Sequence, residues 1–451
     1  METKKTNYRY VIIAMIIFMS MINYIDRAAL SYAQEPLTRL FDLDASSWGV
    51  LSGFFGYGYI VGPILGGIMA DHKGPKYVFL IAGTAWSIFE ILTAYAGEIG
   101  LTVFGGNAMA GFCLVRVLFG LSEGPNFATS SRALHNWSAP KDRGFTSAIG
   151  LVGVPAGAMI AAPVSVALIS WLGWRVAFIF LGAIGLVWVL IWSKIFTDIP
   201  EQNKHVSEEE LAEIRSNEDM LQGEQTIFNS EKKPWYSFFQ NPTFIFNTIG
   251  YFCFMYINFV LLTWTPKYLQ DTYHFQLSSL WYLGMIPWIG AVVTCLLGGK
   301  ISDKIKVKTG NLRLARGLLA VVSYACTFVC FLLITRVDNY MGVLVLMMIG
   351  NAFNYLPNSV HWSVVVDSDP AMAGTYGGLT HGFTNIASVV GPTLTGFLVA
   401  SYGYHAMFMG AACCALIATV VMSLVKPGKA RGKSIKSNDI TEENDDNAAS
   451  L

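Results

Sequence analysis

Apolar residues in this chain neither alternate with polar ones nor mark a single stripe at helical spacing. They run on for about twenty positions at a time, again and again, with short polar breaks between. A helix of that length crosses roughly 30 Å of hydrocarbon. The pattern therefore predicts an all-α membrane protein of twelve transmembrane helices, near residues 10–32, 48–70, 76–97, 103–131, 144–168, 174–196, 242–270, 278–300, 314–335, 339–366, 373–400 and 404–425.

Two polar segments set the larger division. Residues 198–241 separate six runs from six, and residues 426–451 form a charged tail. The expected organisation is an amino-terminal six-helix bundle (1–197), a cytoplasmic linker (198–241), a second six-helix bundle (242–425) and a disordered cytoplasmic tail (426–451). Within the linker, Ser207 followed three residues later by Glu210 is a capping-box pattern, and it predicts a short solvated helix. The first run contains Asp26 and Arg27 and is too long for the apolar part of a signal peptide, so it is expected to stay as a spanning helix.

Composition agrees with lipid as the solvent: 53% of residues are hydrophobic and 13% charged, against the roughly 25% charge of soluble domains. Thirty basic residues balance thirty acidic ones, so there is no basic excess for nucleic acid. The seven cysteines lie inside apolar runs without a CxxC pair or a histidine at ligand spacing. They read as packing residues, and no metal and no organic cofactor is expected. No HExxH or phosphate loop points to an enzyme. A monomer is expected.

Lys and Arg fix the orientation. With the amino terminus inside, 24 fall in cytoplasmic segments, four outside and two within the membrane. Both termini are thus expected in the cytoplasm, in a bacterial inner membrane. The halves also repeat. Gly66-Gly67 with Asp71 recurs as Gly298-Gly299 with Asp303, Gly173-Trp174-Arg175 recurs as Gly403-Tyr404-His405, and Pro163 recurs as Pro392, all at offsets between 229 and 232. Two similar bundles around a central path follow from one repeated offset.

Charge inside the membrane carries the chemistry. A charged side chain at mid-bilayer costs about 2.5–3.5 kcal/mol on insertion scales, and such residues mark pathways. The first helix holds Asp26 and Arg27; the fourth holds Arg116 and Glu123, two turns apart on one face. Structural ion pairing is one reading of these four. The other divides the labour. Arg27 stays charged and offers a fork that fits an anionic substrate. Asp26 and Glu123 exchange protons as the site opens to either side, and Arg116 supports them. Substrate and Asp26 would then compete for the same arginine.

Gly67-Ile68-Met69-Ala70-Asp71-His72-Lys73-Gly74 resembles the signature loop of the major facilitator superfamily, with His72 and Lys73 where an arginine is usual. Such a loop locks the bundles in one conformation through Gly67, Asp71, Lys73 and Gly74, with Asp303 in the second copy. Further stretches resemble the anion:cation symporter branch of that superfamily, the bacterial carriers of galactonate, glucarate and hexuronates. They are Asn23-Tyr24-Ile25-Asp26-Arg27, Arg116 through Gly120, Glu123-Gly124-Pro125, Arg132 with Trp137, Asp142-Arg143, Leu262 through Leu269, Gly377-Gly378, and Asn385 through Ser388. The resemblance implies proton carriage at Asp26 and Glu123, carboxylate binding at Arg27 and a hydroxyl donor at Tyr59. It also places Trp362 and Asn385 at the substrate. Val154 replaces the glutamine of the galactonate type, and His361 and His381 bring imidazoles. Tyr251, Tyr256, Tyr355, Asn258, Asn354 and Asn358 are further candidates for the cavity wall.

The function implied is secondary active transport by alternating access. It imports an organic anion, a sugar acid such as an aldonate, aldarate or uronate, by symport with protons as the coupling ion. Exchange of anions, or carriage of another carboxylate or a sulfonate, is the alternative.

Overall fold

A computed structural model describes residues 6–139, 143–215, 234–369 and 372–428, and for Asp71 and residues 143–150 the backbone only. Twelve helices long and apolar enough to span a bilayer account for most of the described chain. They are α1 (Tyr8–Tyr32), α2 (Ala45–Ala70), α3 (His72–Thr93), α4 (Ala108–Trp137), α5 (Arg143–Leu172), α6 (Trp174–Ile195), α7 (Pro242–Tyr273), α8 (Leu277–Thr309), α9 (Arg313–Ile334), α10 (Tyr340–Ser368), α11 (Ala373–Tyr402) and α12 (Tyr404–Leu424). An even number of spans brings residues 6 and 428 to one face, the terminal face; the other is the distal face.

α1 to α6 pack chiefly on one another, as do α7 to α12. The halves meet where α2 packs on α11, α5 on α8 and α1 on α7. The repeat seen in the sequence is a repeat of backbone. Gly173 and Gly403 both take positive φ, +78° and +75°, to turn one helix into the next, a conformation that only glycine adopts freely. α4 and α10 break at matching places, Gly124-Pro125 and Leu356-Pro357, because a proline ring removes one hydrogen bond and crowds the preceding turn.

The sequence misplaces several boundaries, two of them with consequences for the fold. The run expected at 103–131 begins at Ala108, because Gly105 and Gly106 take positive φ and the Asn107 side chain accepts from Ala110 N–H to cap the new helix. Residues Ala96–Val103 form a separate short helix under the distal face. α8 continues to Thr309, so Asp303 sits on its last turns rather than in a loop.

The linker helix Glu208–Arg215 is not simply solvated. Ser207 caps it by accepting from Glu210 N–H at 3.3 Å. The Glu210 carboxylate, however, turns away from its own helix and accepts from the N–H groups of Tyr8 and Arg9 at 3.0 and 2.8 Å. It thereby satisfies the free donors at the start of α1, and Arg9 adds an ion pair to Glu213 at 3.0 Å. Residues 216–233 and the tail from 429 onward lie outside the described residues.

Candidate transport site

On the distal face the halves are in close contact. A Cβ placed on Gly49 of α2 would lie 2.7 Å from the Gly396 Cα of α11, and one on Gly56 would meet Ser388 and Val389. The Gln270 amide of α7 donates to Glu35, just beyond α1, at 2.9 Å. On the terminal side the helices part around a cavity of about 310 Å³. Its wall combines Ser20, Asn23 and Tyr24 of α1, Tyr59 of α2, Asn126, Phe127, Ser130 and Ser131 of α4 and Val154 of α5 with Tyr251, Asn258, Tyr355, Asn358, Trp362 and His381 of the second half. Among the described residues, three buried polar atoms of this wall have no hydrogen-bond partner: Asn23 Nδ2, Trp362 Nε1 and Asn358 Oδ1. Buried polar atoms without partners are costly, so a wall that presents two donors and one acceptor is suited to a hydroxylated ligand or water. Phe127 stacks on Trp362 and His381, with ring centres 5.6 and 5.1 Å apart, and joins the halves across the cavity.

Of the residues singled out in the sequence, Tyr59, Trp362, His381, Tyr251, Tyr355, Asn258 and Asn358 line the cavity. Asn385 touches it indirectly, bonded to the His381 ring at 3.2 Å. His361 stands behind Tyr251, stacked at 4.7 Å, with its two nitrogens bonded to Tyr324 Oη and Asn247 Oδ1. Tyr256 and Asn354 are buried in the packing around α7 and do not line the cavity. Asn126, Ser130 and Ser131 were not foreseen. Asn126 and Ser130 follow the α4 break one turn apart with Ser131 next in the chain, a spacing that is visible once the break at Pro125 is placed.

Distal to the cavity lies a cluster of charge in which every member is at most 5% exposed. The Arg27 Nε and Nη2 donate to one oxygen of Glu123 at 3.2 and 2.9 Å, and Nη2 also reaches Asn23 at 3.3 Å. Nη1 has no partner. The guanidinium lies 4.4, 4.6 and 4.6 Å from the ring centres of Tyr59, Tyr24 and Phe55, a setting that favours a planar cation. Tyr24 and Tyr59 thus stand between Arg27 and the cavity. A second void of only about 20 Å³ touches Arg27 and Arg116 on the distal side.

The pairing expected between Asp26 and Arg27 is not what forms. Consecutive residues on a helix point about 100° apart, and Asp26 faces α3, where Trp86 Nε1 donates to its Oδ2 at 2.9 Å. Arg27 turns to α4 and takes Glu123 instead. Arg116, on the same face of α4 as Glu123, is not its partner. Its Nε and Nη1 are unbonded among the described residues, and it lies 4.8 Å from the Phe119 ring. The sequence reading also counted two acids where there are three. Glu90 of α3 is fully buried beside them, and its electrostatic neighbours are Asp26, Arg116 and Glu123. The signal was present, a single acid in an apolar run.

The signature segment is held to its own half. Gly74 has φ +83°, and a Cβ there would lie 2.6 Å from the Asp198 carboxylate, which accepts from Lys76 N–H at 2.7 Å at the start of α3. Lys73 lies over the Tyr77 ring at 4.8 Å, and Gly67 borders open space. The Asp71 side chain and Asp142 lie outside the described residues. In the second copy Arg316 of α9 bridges Asp303 of α8 at 3.0 Å and Asp367 of α10 at 2.9 Å. Among the described residues, no ion pair joins the two bundles on the terminal side, the side on which the cavity lies.

Residues 16–384 match the family model described as Major Facilitator Superfamily. The chain is similar to the "Probable sulfoacetate transporter SauU" of Cupriavidus necator, 32% identical over 89% of this chain and 90% of that one. It is similar to the "Hexuronate transporter" of Bacillus subtilis, 30% identical over 93% and 96%, and to the "Probable galactarate/D-glucarate transporter GudP" of the same organism, 28% identical over 94% of each. A bacterial homologue of Spinster in an inward-facing, occupied conformation shares the fold with a TM-score of 0.71 at 16% identity, over 93% of this chain and 97% of that one. The D-xylose-proton symporter does so with 0.70 at 18%, over 94% and 99%.

Proposed function

The chain belongs to the major facilitator superfamily, in its organic-anion branch, and from that premise we propose that it imports a sugar acid together with protons. The observation that carries this reading is the Arg27–Glu123 pair, sealed behind two tyrosines at the floor of a cavity lined with hydroxyl and amide groups.

Arg27 has one free nitrogen and two committed to Glu123. A carboxylate arriving from the cavity competes with Glu123 for the guanidinium fork once Tyr24 and Tyr59 move aside. Glu123, left buried without its cation, is then stabilised by a proton. Anion binding and proton binding thus favour each other, and Asp26, held by Trp86, offers a second position for a proton. A monoanion moving with two protons carries net positive charge, worth about 2.3 kcal/mol per 100 mV of membrane potential. With the terminal face in the cytoplasm of a bacterial inner membrane, as the Lys and Arg distribution favours, the state described is open inward. Protons are the only coupling ion the reading needs, and it calls for no cofactor.

The wall favours a polyhydroxylated anion, because Asn23, Trp362 and Asn358 offer it donors and an acceptor left unpaired among the described residues. Carriage of a sulfonate is the second reading, supported by the sulfoacetate relative. Thermal-shift measurements on purified protein with D-glucuronate, D-glucarate, D-galactonate and sulfoacetate separate the two. A ligand at a hundred times its Kd adds about 2.7 kcal/mol to the folded state. Stabilisation by the sugar acids that disappears in Arg27→Ala supports the proposal; stabilisation that survives this substitution refutes the role given to Arg27.

A further inference from the structure

Glu90 adds an acid that the exchange between Arg27, Glu123 and substrate does not use. Its side chain is fully buried, and neither carboxylate oxygen has a hydrogen-bond partner among the described residues. The groups around it come from every neighbouring element. α1 brings Asp26, and α4 brings Arg116 and Glu123. At the distal end of α6, Arg175 pairs with Glu98 of the short helix Ala96–Val103. α6 otherwise presents Gly182 and Gly185 to this stretch of α3. The cluster thus holds three carboxylates, Asp26, Glu90 and Glu123, against two arginines.

Neutrality in so dry a place requires one proton among the three acids. Glu123 has the Arg27 donors and Asp26 has the Trp86 indole; Glu90 has none. Its position adds direction. Glu90 lies three residues from the distal end of α3, about 4.5 Å along the axis; Trp86, which holds Asp26, lies one turn deeper on the same helix, and Asp26 adjoins Arg27, which holds Glu123. Trp86 and Glu90 are four apart and share a face of α3, so the residue that holds Asp26 and the unpartnered acid stand one turn from each other.

We propose that Glu90 is a third proton-carrying group of the site. It holds a proton while the distal face is sealed and is the outermost member of a descending series, Glu90 to Asp26 to Glu123, through which protons from the distal side reach the substrate. The transfer is of protons alone, each acid releasing one to the next as it accepts another. This rests on the symport reading above, and the test separates the two.

Infrared spectra of the purified, substrate-free protein at neutral pH report the carbonyl stretch of a protonated carboxyl group and need no transported ligand. Glu90→Gln removes that band, and Asp26→Asn leaves it. In proteoliposomes with D-glucuronate, Glu90→Gln lowers acid-driven accumulation tenfold or more while exchange falls by less than twofold, and Glu90→Asp restores part of the accumulation. A band unchanged in Glu90→Gln overturns the proposal, as do accumulation equal to wild type or an equal loss of exchange, which would mark a structural role. Absence of acid-driven accumulation in the wild-type protein would instead overturn the symport reading, with the proton on Glu90 then decided by the infrared band.

Discussion

Replacing Gly49 by valine should force open the distal face. Its absent side chain is what lets α2 meet α11: a Cβ there would sit 2.7 Å from Gly396 Cα and 2.8 Å from the Pro392 carbonyl oxygen, where ordinary contact begins at 3.4 Å. Restoring contact distance requires the helices to part by about 1 Å, and over-packing of this kind costs about 1–3 kcal/mol. That cost falls only on the state in which the distal seam is shut. The equilibrium between distal-closed and distal-open forms therefore moves by a factor of about 5 to 150 toward the open one. Thr393, whose hydroxyl lies against the Gly49 carbonyl at 3.5 Å, is a suitable reporter. The rate at which a membrane-impermeant maleimide labels Thr393→Cys from the distal side should rise by the same factor in Gly49→Val. Gly374→Ala, on α11 but with open space around the new methyl, should leave the rate unchanged. A Gly49→Val protein that melts like the parent and labels at the parent's rate would show that this seam is not what closes the distal path.

Two further outcomes concern the local structure that holds the bundles. Asp44 caps α2 by accepting from Ser47 N–H at 2.8 Å, and donors from Ser47 hold its carboxyl below the usual carboxylate range. Because the folded value lies below the unfolded one, the contribution is complete at neutral pH and is lost as pH falls through the depressed value. Asp44→Ala should thus cost about 1 kcal/mol near pH 7 and progressively less in acid, as read by thermal melting in detergent. Gly74→Ala places a methyl group on the Asp198 carboxylate at a backbone angle that is essentially glycine-only, and should cost about 1–3 kcal/mol. A melting point equal to wild type would refute the constraint.

The spans were legible because lipid imposes a single rule along the chain, about twenty apolar residues for each crossing. The repeat was legible because positive-φ glycines and helix-breaking prolines leave the same residues at the same offset in both halves. The site was legible in content but not in connection. Asp26, Arg27, Arg116 and Glu123 are all found in one cluster, yet Arg27 takes Glu123 rather than its neighbour in sequence. That choice depends on which helix each residue faces: Asp26 reaches Trp86 of α3, and Arg27 reaches Glu123 of α4. His361 shows the same limit. Its imidazole is one turn from Asn358, which lines the cavity, yet Tyr324 and Asn247 draw it into the wall. Glu90 was missed although the rule that found Asp26 applies to it equally.

The measurement that bears most directly on coupling compares two modes of transport in proteoliposomes, with wild-type protein and with the doubly substituted Asp26→Asn, Glu123→Gln. Exchange of labelled for unlabelled anion needs only a reorienting, loaded site, whereas accumulation against a gradient needs protons to move with the anion. The double substitution should retain exchange and abolish both uphill accumulation and its stimulation by external acid. Accumulation at the wild-type level, with its acid dependence intact, would contradict the account.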